Sequence, residues 1–143
     1  RHFLMWVEYV FMGIMLGMSL VAGYVFFERL FFYRRVDISS FSTRAGLERE
    51  LTKGLYIIAS VASNAPYVGL LGTVLGIMQT FHTMGKEGIG DTLKIMVGLA
   101  LALKATALGL LVAIPATLLY NYLVRRAREI LYDWEERHAG KGD

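Results

Sequence analysis

Residues 63–78 read SNAPYVGLLGTVLGIM and contain no charged side chain. When successive residues are placed at about 100° around a helix, the small side chains of this region share one face. Such faces let two helices approach closely in lipid, and this spacing is common in membrane helices. The stretch therefore predicts a membrane helix that packs closely against another helix. The small face comprises Ala62, Ala65, Gly69, Gly72, Thr73, Gly76 and Thr80.

The composition indicates a membrane protein, because 55% of the residues are hydrophobic and only 19% are charged. The absence of cysteine excludes disulfide frameworks and thiolate chemistry. The basic residues form short runs beside apolar segments, so we expect no nucleic-acid partner. No carboxylate pair, nucleophile triad, phosphate loop or metal-ligand spacing occurs, so we expect no enzyme activity, no cofactor and no metal site.

Three largely uncharged windows predict three transmembrane helices in one membrane domain that covers residues 1–143. A bilayer core of about 30 Å needs roughly 20 apolar residues in a helix. The predicted spans are residues 9–29, 64–84 and 92–124. The first window is longer than the core of a signal peptide and no cleavage signal follows it, so we expect it to remain in the mature protein.

The basic residues also predict the orientation of these spans. Residues 29–53 hold six lysines and arginines, and the segment from Arg125 onward holds five, whereas residues 85–94 hold two. Cytoplasmic loops carry the excess of positive charge. The sequence therefore predicts a periplasmic amino terminus and a cytoplasmic carboxyl terminus.

Two amphipathic segments predict helices outside the membrane. Residues 43–63 carry an apolar stripe with Ser42 as a plausible cap, and a straight continuation into the second span would form one rod of about 60 Å over residues 43–84. Residues 125–137 extend the third span. We therefore expect an all-α protein whose second and third membrane helices continue into a cytoplasmic helical bundle. The two stripes are Leu47, Leu51, Leu55 and Ile58, and Ile130, Leu131 and Trp134.

The third span repeats the small-residue face of the second. Thr73 and Thr106 are the mid-span hydroxyls of the two faces, and polar groups at this depth tend to face protein or a cavity. The alternative is that each hydroxyl bonds the carbonyl four residues earlier in its own helix. The face comprises Gly98, Ala102, Ala105, Thr106, Gly109, Ala113 and Ala116.

Lys104 is the one charge between Ile95 and Val124 of the third span, at a cost of about 2.5–3.5 kcal/mol near the bilayer centre. It points about 140° away from the small face, which argues against a pore role. We weigh two interpretations: Lys104 reaches the outer interface or pairs with a partner, or it acts in ion coupling. Pro66 and Pro115 predict packing kinks, and Asn64 beside Pro66 suggests a polar vestibule. Lys104, Asn64, Pro66 and Pro115 are therefore candidates for coupling or partner contact.

Residues 63–78 resemble the second membrane helix of the ExbB/TolQ/MotA proton-channel family, and they are most similar to its ExbB members. Residues 105–116, ATALGLLVAIPA, followed by Tyr120 and Asn121, resemble the third helix of the same family. The short cytoplasmic loop argues against the MotA branch, whose members have four spans.

The resemblance implies a homopentamer in the bacterial inner membrane, with the second and third helices around a central pore. Two ExbD-like single-span helices, one with a membrane aspartate that takes protons, would sit inside. A TonB-like partner would pass the motion to outer-membrane transporters. The resemblance makes Thr73 and Thr106 the pore threonines. The expected ion pathway is Thr73, Thr106, Gly69, Gly72, Gly76, Ala102, Gly109 and Ala113.

The sequence departs from the family at one position, because many members carry a glutamate five residues before the third-helix threonine and this chain has Leu101 there. The proton path would then rely on the partner's aspartate and the threonines, or the subunit conducts differently. Lys104 replaces the acid only if the helix packs unusually.

The resulting hypothesis is an ExbB-like stator subunit that energises TonB-dependent transport. The nearest alternative is TolQ-like envelope maintenance. Two other classes are a transporter that binds an anionic small molecule through Lys104 and a passive scaffold whose small faces serve only oligomer packing.

Overall fold

The computed structural model describes residues 2–88 and 90–142, with side chains described for residues 6–88 and 90–139. Arg1, Ile89 and Asp143 of the predicted domain lie outside the described residues. The elements are α1 (His2–Arg35), a short 3-10 helix (Ile38–Ser40), α2 (Arg44–Leu51), α3 (Leu55–Glu87) and α4 (Thr92–Gly142).

The helices α1, α3 and α4 are each long and apolar enough to cross a membrane. The predicted all-helical class with three candidate membrane helices is confirmed. Residues 9–29 lie within α1, residues 64–84 within α3 and residues 92–124 within α4. The exact membrane boundaries stay predictions.

The helix α4 runs through its 51 residues without a break, so the charged segment 125–137 continues the apolar one as expected. At about 1.5 Å per residue the helix is roughly 75 Å long, well beyond a bilayer core of about 30 Å. Part of α4 must therefore project from the membrane.

The helices α3 and α4 form an antiparallel hairpin, with α1 packed alongside both. Gly88, at φ +82°, ends α3, and its N–H donates to the carbonyl of Met84 at 2.8 Å. Glu87 and Lys94 form an ion pair of 3.4 Å across the turn. Because α3 and α4 run in opposite directions, residues near the end of α3 lie beside residues near the start of α4.

The predicted helix over residues 43–63, and with it the 60 Å rod, is wrong. The helix α2 ends at Leu51, and the N–H of Thr52 donates to the carbonyl of Glu48 at 2.9 Å. Gly54 follows at φ +82°, a left-handed conformation that costs an L side chain about 1–2 kcal/mol. The apolar stripe continues across the break, which is why the spacing alone suggested one helix.

The cap of α2 also differs from the prediction. Thr43, not Ser42, adopts the extended backbone that precedes the first helical residue, Arg44, and its side chain accepts a hydrogen bond from the N–H of Gly46 at 3.1 Å. Both residues are good caps, so the difference of one position reflects where the turn after the 3-10 helix ends.

The end of α1, α2, the start of α3 and the end of α4 enclose a hydrophobic cluster that we call the basic-end core. Both predicted stripes lie in it, and Leu47, Leu51, Ile58 and Leu123 are fully buried. The members are Val25, Tyr33, Leu47, Leu51, Leu55, Ile58, Leu123, Ala127, Ile130, Leu131 and Trp134.

Polar side chains stabilise this core by donating hydrogen bonds to backbone carbonyls that have no partner within a helix. The guanidinium of Arg29, which is 4% exposed, donates to the carbonyl of Glu50 at 2.6 Å, and the hydroxyl of Tyr33 donates to the carbonyl of Leu51 at 2.6 Å. The last carbonyls of α2 would otherwise lack partners. The indole N–H of Trp134 donates to the carbonyl of Phe41 at 3.1 Å. These bonds tie α2 and the loop before it to α1 and α4.

We predict that Gly54→Val destabilises the protein by about 1–2 kcal/mol, because a branched side chain is strained at this φ. Gly54→Asn should cost less, since asparagine tolerates the left-handed region better. The measurement is thermal unfolding of the purified protein in detergent. Gly13→Ala is the control, because a Cβ there meets nothing within 4 Å. Equal stability of the Val and Asn variants would contradict the role given to the backbone conformation.

Candidate functional site

The small faces of α3 and α4 meet in a seam where the two backbones touch. A Cβ at Gly69 would lie 2.6 Å from the carbonyl oxygen of Ala105, and a Cβ at Gly109 would lie 2.6 Å from the carbonyl oxygen of Ala65. Real side chains do not approach backbone atoms so closely, and the backbone cannot move away as a flexible side chain can. Glycine is therefore required on both sides of this contact.

The same close approach extends along the seam toward the α3–α4 turn. A Cβ at Gly76 would lie 2.7 Å from the methyl group of Ala102, and a Cβ at Gly98 would lie 2.8 Å from the hydroxyl of Thr80. Gly72 faces the methyl group of Ala105 on α4, where its own Cβ would lie at 2.8 Å. The contacts are thus spread over several helical turns, which fixes the register of α3 against α4.

The two predicted threonines meet within this seam. The hydroxyl of Thr73 donates to the carbonyl of Ala102 at 2.9 Å and contacts the hydroxyl of Thr106. A hydroxyl donates one hydrogen bond and can accept others, so Thr73 can accept from Thr106 while it donates to α4. The carbonyl of Gly69, four residues earlier, is farther from the Thr73 hydroxyl, at 3.3 Å. The hydroxyl of Thr73 therefore bonds mainly across the seam, not to its own helix.

The two hydroxyls differ in depth. Thr73 is only 6% exposed, whereas Thr106 is half-buried. Ala102 and Ala113 are buried as well, at 5% each. In the single chain, the residues predicted to line the ion pathway, apart from Ala113, lie at the contact between α3 and α4, and Thr106 reaches its edge. Gly72, Gly76 and Ala102 also line a cavity beside α1. Close packing of the two faces is what the geometry displays, and their role in a pore stays a prediction.

Leu101 and Lys104 lie away from the threonines, at a cavity of about 110 Å³ between α1 and the hairpin. Neither Thr73 nor Thr106 lines this cavity. On α4, Lys104 and Thr106 are separated by about 160° around the helix axis. Leu101, at the position where the family resemblance implies a glutamate, therefore lies on the α1 side of the hairpin.

Lys104 has an acidic partner that the sequence analysis missed. Its Nζ lies 3.9 Å from Oε1 of Glu8 on α1, and both side chains are about half exposed. This pair lies within one chain, and both interpretations of the role of Lys104 stay predictions. The available signal was that Glu8 is the only acidic residue of α1 before Glu28.

The other candidates for coupling are not brought to the threonines. The amide of Asn64 donates to the carbonyl of Ser60 in its own helix at 2.8 Å, and Asn64 is exposed. Pro66 lies inside α3 and Pro115 inside α4, and both helices continue through them. Pro115 is exposed and lies 11 residues after Lys104 in α4, so the two residues do not form one site. The vestibule and partner contacts stay predictions. In the part of the chain that the structure describes, no group of three metal-ligating side chains comes together.

Comparison with known proteins points to one group of transport proteins. The model of the MotA/TolQ/ExbB proton channel family matches residues 34–136, more than half of the chain. The "Biopolymer transport protein ExbB" of Aquifex aeolicus is 62% identical over 133 residues, which cover 93% of this chain and 90% of that protein. A Helicobacter pylori protein named "Putative biopolymer transport protein ExbB-like 2" is 45% identical over 92% of this chain and 88% of its own length. The "Tol-Pal system protein TolQ" of Pseudomonas aeruginosa is 40% identical over 59% of this chain and 36% of its own length.

We predict that Gly69→Ala and Gly109→Ala each destabilise the protein by about 1–3 kcal/mol, because an added methyl group forces the two backbones apart. The control is Gly17→Ala in α1, where a Cβ meets nothing within 4 Å. Alanine favours helix over glycine, so this control should be unchanged or slightly more stable. Thermal unfolding in detergent measures the difference. If Gly17→Ala lost as much stability as the seam variants, the close backbone contact in the seam would not explain their loss.

Proposed function

Because the chain belongs to the MotA/TolQ/ExbB proton channel family, we propose that it is an ExbB-type subunit of a motor driven by proton flow across the bacterial inner membrane. The observation that carries this proposal is the 62% identity to a protein named ExbB over nearly the whole of both chains. In this role the subunit energises TonB-dependent transport across the outer membrane.

The TolQ-type role in envelope maintenance is the alternative, favoured by the similarity to a TolQ protein. That similarity covers 59% of this chain, compared with 93% for the ExbB protein, so we place the ExbB-type role first. A transporter that binds an anion through Lys104 is less well supported, since Glu8 lies 3.9 Å from the ammonium group and offsets its charge.

The working complex in this proposal is a pentamer of the chain, with the hairpins of α3 and α4 around a central pore. Single-span ExbD-like subunits occupy the pore and bring a membrane aspartate, and a TonB-like protein receives the motion. The excess of basic residues in segments 29–53 and 125–141 supports an orientation with the basic-end core in the cytoplasm and the amino terminus in the periplasm. The basic-end core then forms part of a cytoplasmic helical bundle.

The threonine pair supplies the chemistry for this pore. Thr106 lies at the edge of the seam, so it is the hydroxyl that can meet the partner's carboxyl group. A hydroxyl donates to an ionised carboxylate and accepts from a protonated one, so it serves both states of a proton carrier. Thr73 holds Thr106 in place, because its own hydroxyl is anchored to the carbonyl of Ala102. Because the partner's carboxyl group carries the proton, this chain needs no acid of its own in the pore, which is consistent with a leucine at position 101.

We predict that Thr106→Leu abolishes energy-dependent uptake without preventing oligomer formation, whereas Thr106→Ser retains uptake because it keeps the hydroxyl. Thr73→Val removes hydrogen bonds worth about 0.5–1.5 kcal/mol, so it should lower uptake roughly two- to tenfold. Uptake of a TonB-dependent substrate is measured in cells whose only energiser contains this chain, with the oligomer followed on a native gel.

The matched control is Thr80→Val. Thr80 lies on the same face of α3, but its hydroxyl donates to the carbonyl of Gly76 in its own helix at 3.0 Å. This variant should retain most of the uptake. Normal uptake by Thr106→Leu would argue against a role in the ion pathway, and normal uptake by both Thr73→Val and Thr106→Val would favour a passive scaffold.

A further inference from the structure

The contact between α1 and the hairpin is uneven along the length of α1. At one end, Val25 and Tyr33 are buried in the basic-end core and Arg29 bonds the carbonyl of Glu50. At the other end, a cavity of about 110 Å³ lies between α1 and the hairpin, which the ring of Phe11 still reaches at Gly72, and no side chain of residues 6–14 is buried. Its walls include Phe11, Met12 and Met15 of α1, Gly72 and Gly76 of α3, and Ala102 of α4. Packing alone therefore holds α1 less firmly at its Glu8 end.

The ion pair between Glu8 and Lys104 stands at this cavity. Both residues line it, and the pair joins α1 directly to α4, with 3.9 Å between Oε1 and Nζ. Lys104 lies in the otherwise uncharged run from Ile95 to Val124. The attraction between opposite charges grows as the surrounding dielectric falls, so a pair at the membrane acts more strongly than one in water. Removal of one partner would leave the other charge uncompensated in an apolar setting.

We propose that Glu8 and Lys104 are positioning residues whose attraction holds the Glu8 end of α1 against α4 across the cavity. The pair fixes the distance of α1 from the α3–α4 hairpin at the cavity, on a side of α4 that lies about 160° from Thr106. The hairpin then has a fixed support behind the seam that carries the threonines. The consequence for uptake rests on the proposed function, whereas the distance between the helices does not.

Spin labels measure this distance directly, since the chain has no cysteine and two introduced ones would be the only labelled sites. The reporting pair is Tyr9→Cys on α1 with Leu111→Cys on α4, both 67% exposed. The reference pair at the other end of α1 is Phe27→Cys with Leu118→Cys. Labelled chains are diluted with unlabelled ones in lipid nanodiscs, so that distances within one chain dominate the double electron–electron resonance signal.

The variants are Glu8→Gln, Lys104→Gln and the charge exchange Glu8→Lys with Lys104→Glu. Each single variant should shift the reporting distance to longer, broader values, and the exchange should restore it, while the reference distance stays unchanged. Glu87→Gln, which breaks the Glu87–Lys94 pair of the α3–α4 turn, is the matched control and should leave both distances unchanged. Lys104→Gln removes the charge from the apolar run of α4, and Glu8→Gln adds no charge to any membrane helix, so both single variants should still insert.

An unchanged reporting distance in both single variants would overturn the proposal. A charge exchange whose distance distribution stays as broad as that of the single variants would also overturn it. Uptake supplies the second readout. Each single variant should lower it about threefold, the change expected from the coupling energies typical of polar pairs between membrane helices, and the exchange should restore it. Full uptake in both single variants would overturn the part of the proposal in which the pair supports the working hairpin. Because the distances require no transported cargo, failure of the ExbB-type role would leave their result interpretable.

Discussion

The backbone contact between Gly69 and Gly109 is the constraint on which the rest of the hairpin depends. In lipid, helices gain little from hydrophobic burial, so close packing and hydrogen bonds between them carry the association. A contact that admits no Cβ on either side allows only one register of α3 against α4. That register brings Gly76 to Ala102 and joins the hydroxyls of Thr73 and Thr106.

The hairpin consequently has two different sides. On α4, Thr106 lies on one side, where it is half-buried and contacts Thr73, whose hydroxyl donates to the carbonyl of Ala102. The other side faces α1, with Leu101 and the Glu8–Lys104 pair at the cavity between them. This chain of a proton-channel family has Leu101 where an acid was expected, and its Glu8–Lys104 pair lies on the same side of the hairpin as Leu101.

The sequence predicted the three spans, both small faces and the unbroken α4, because charge and periodicity are local signals. It missed the break before α3, which depends on the single left-handed residue Gly54 inside a continuing apolar stripe. It also missed the pairing of Glu8 with Lys104, since residues 96 positions apart meet only through the packing of α1 on the hairpin. The threonines were identified as a pair by their faces and the family motif. Their direct contact required the register that the glycines set.

The mass of the intact complex tests the central claim, that this chain is an ExbB-type subunit, most directly. The chain is co-expressed with single-span membrane proteins encoded beside it, purified in mild detergent and weighed by native mass spectrometry. The account predicts five copies of this chain with two copies of a single-span partner that carries a membrane aspartate. An isolated dimer, or an oligomer that never retains such a partner, would contradict it.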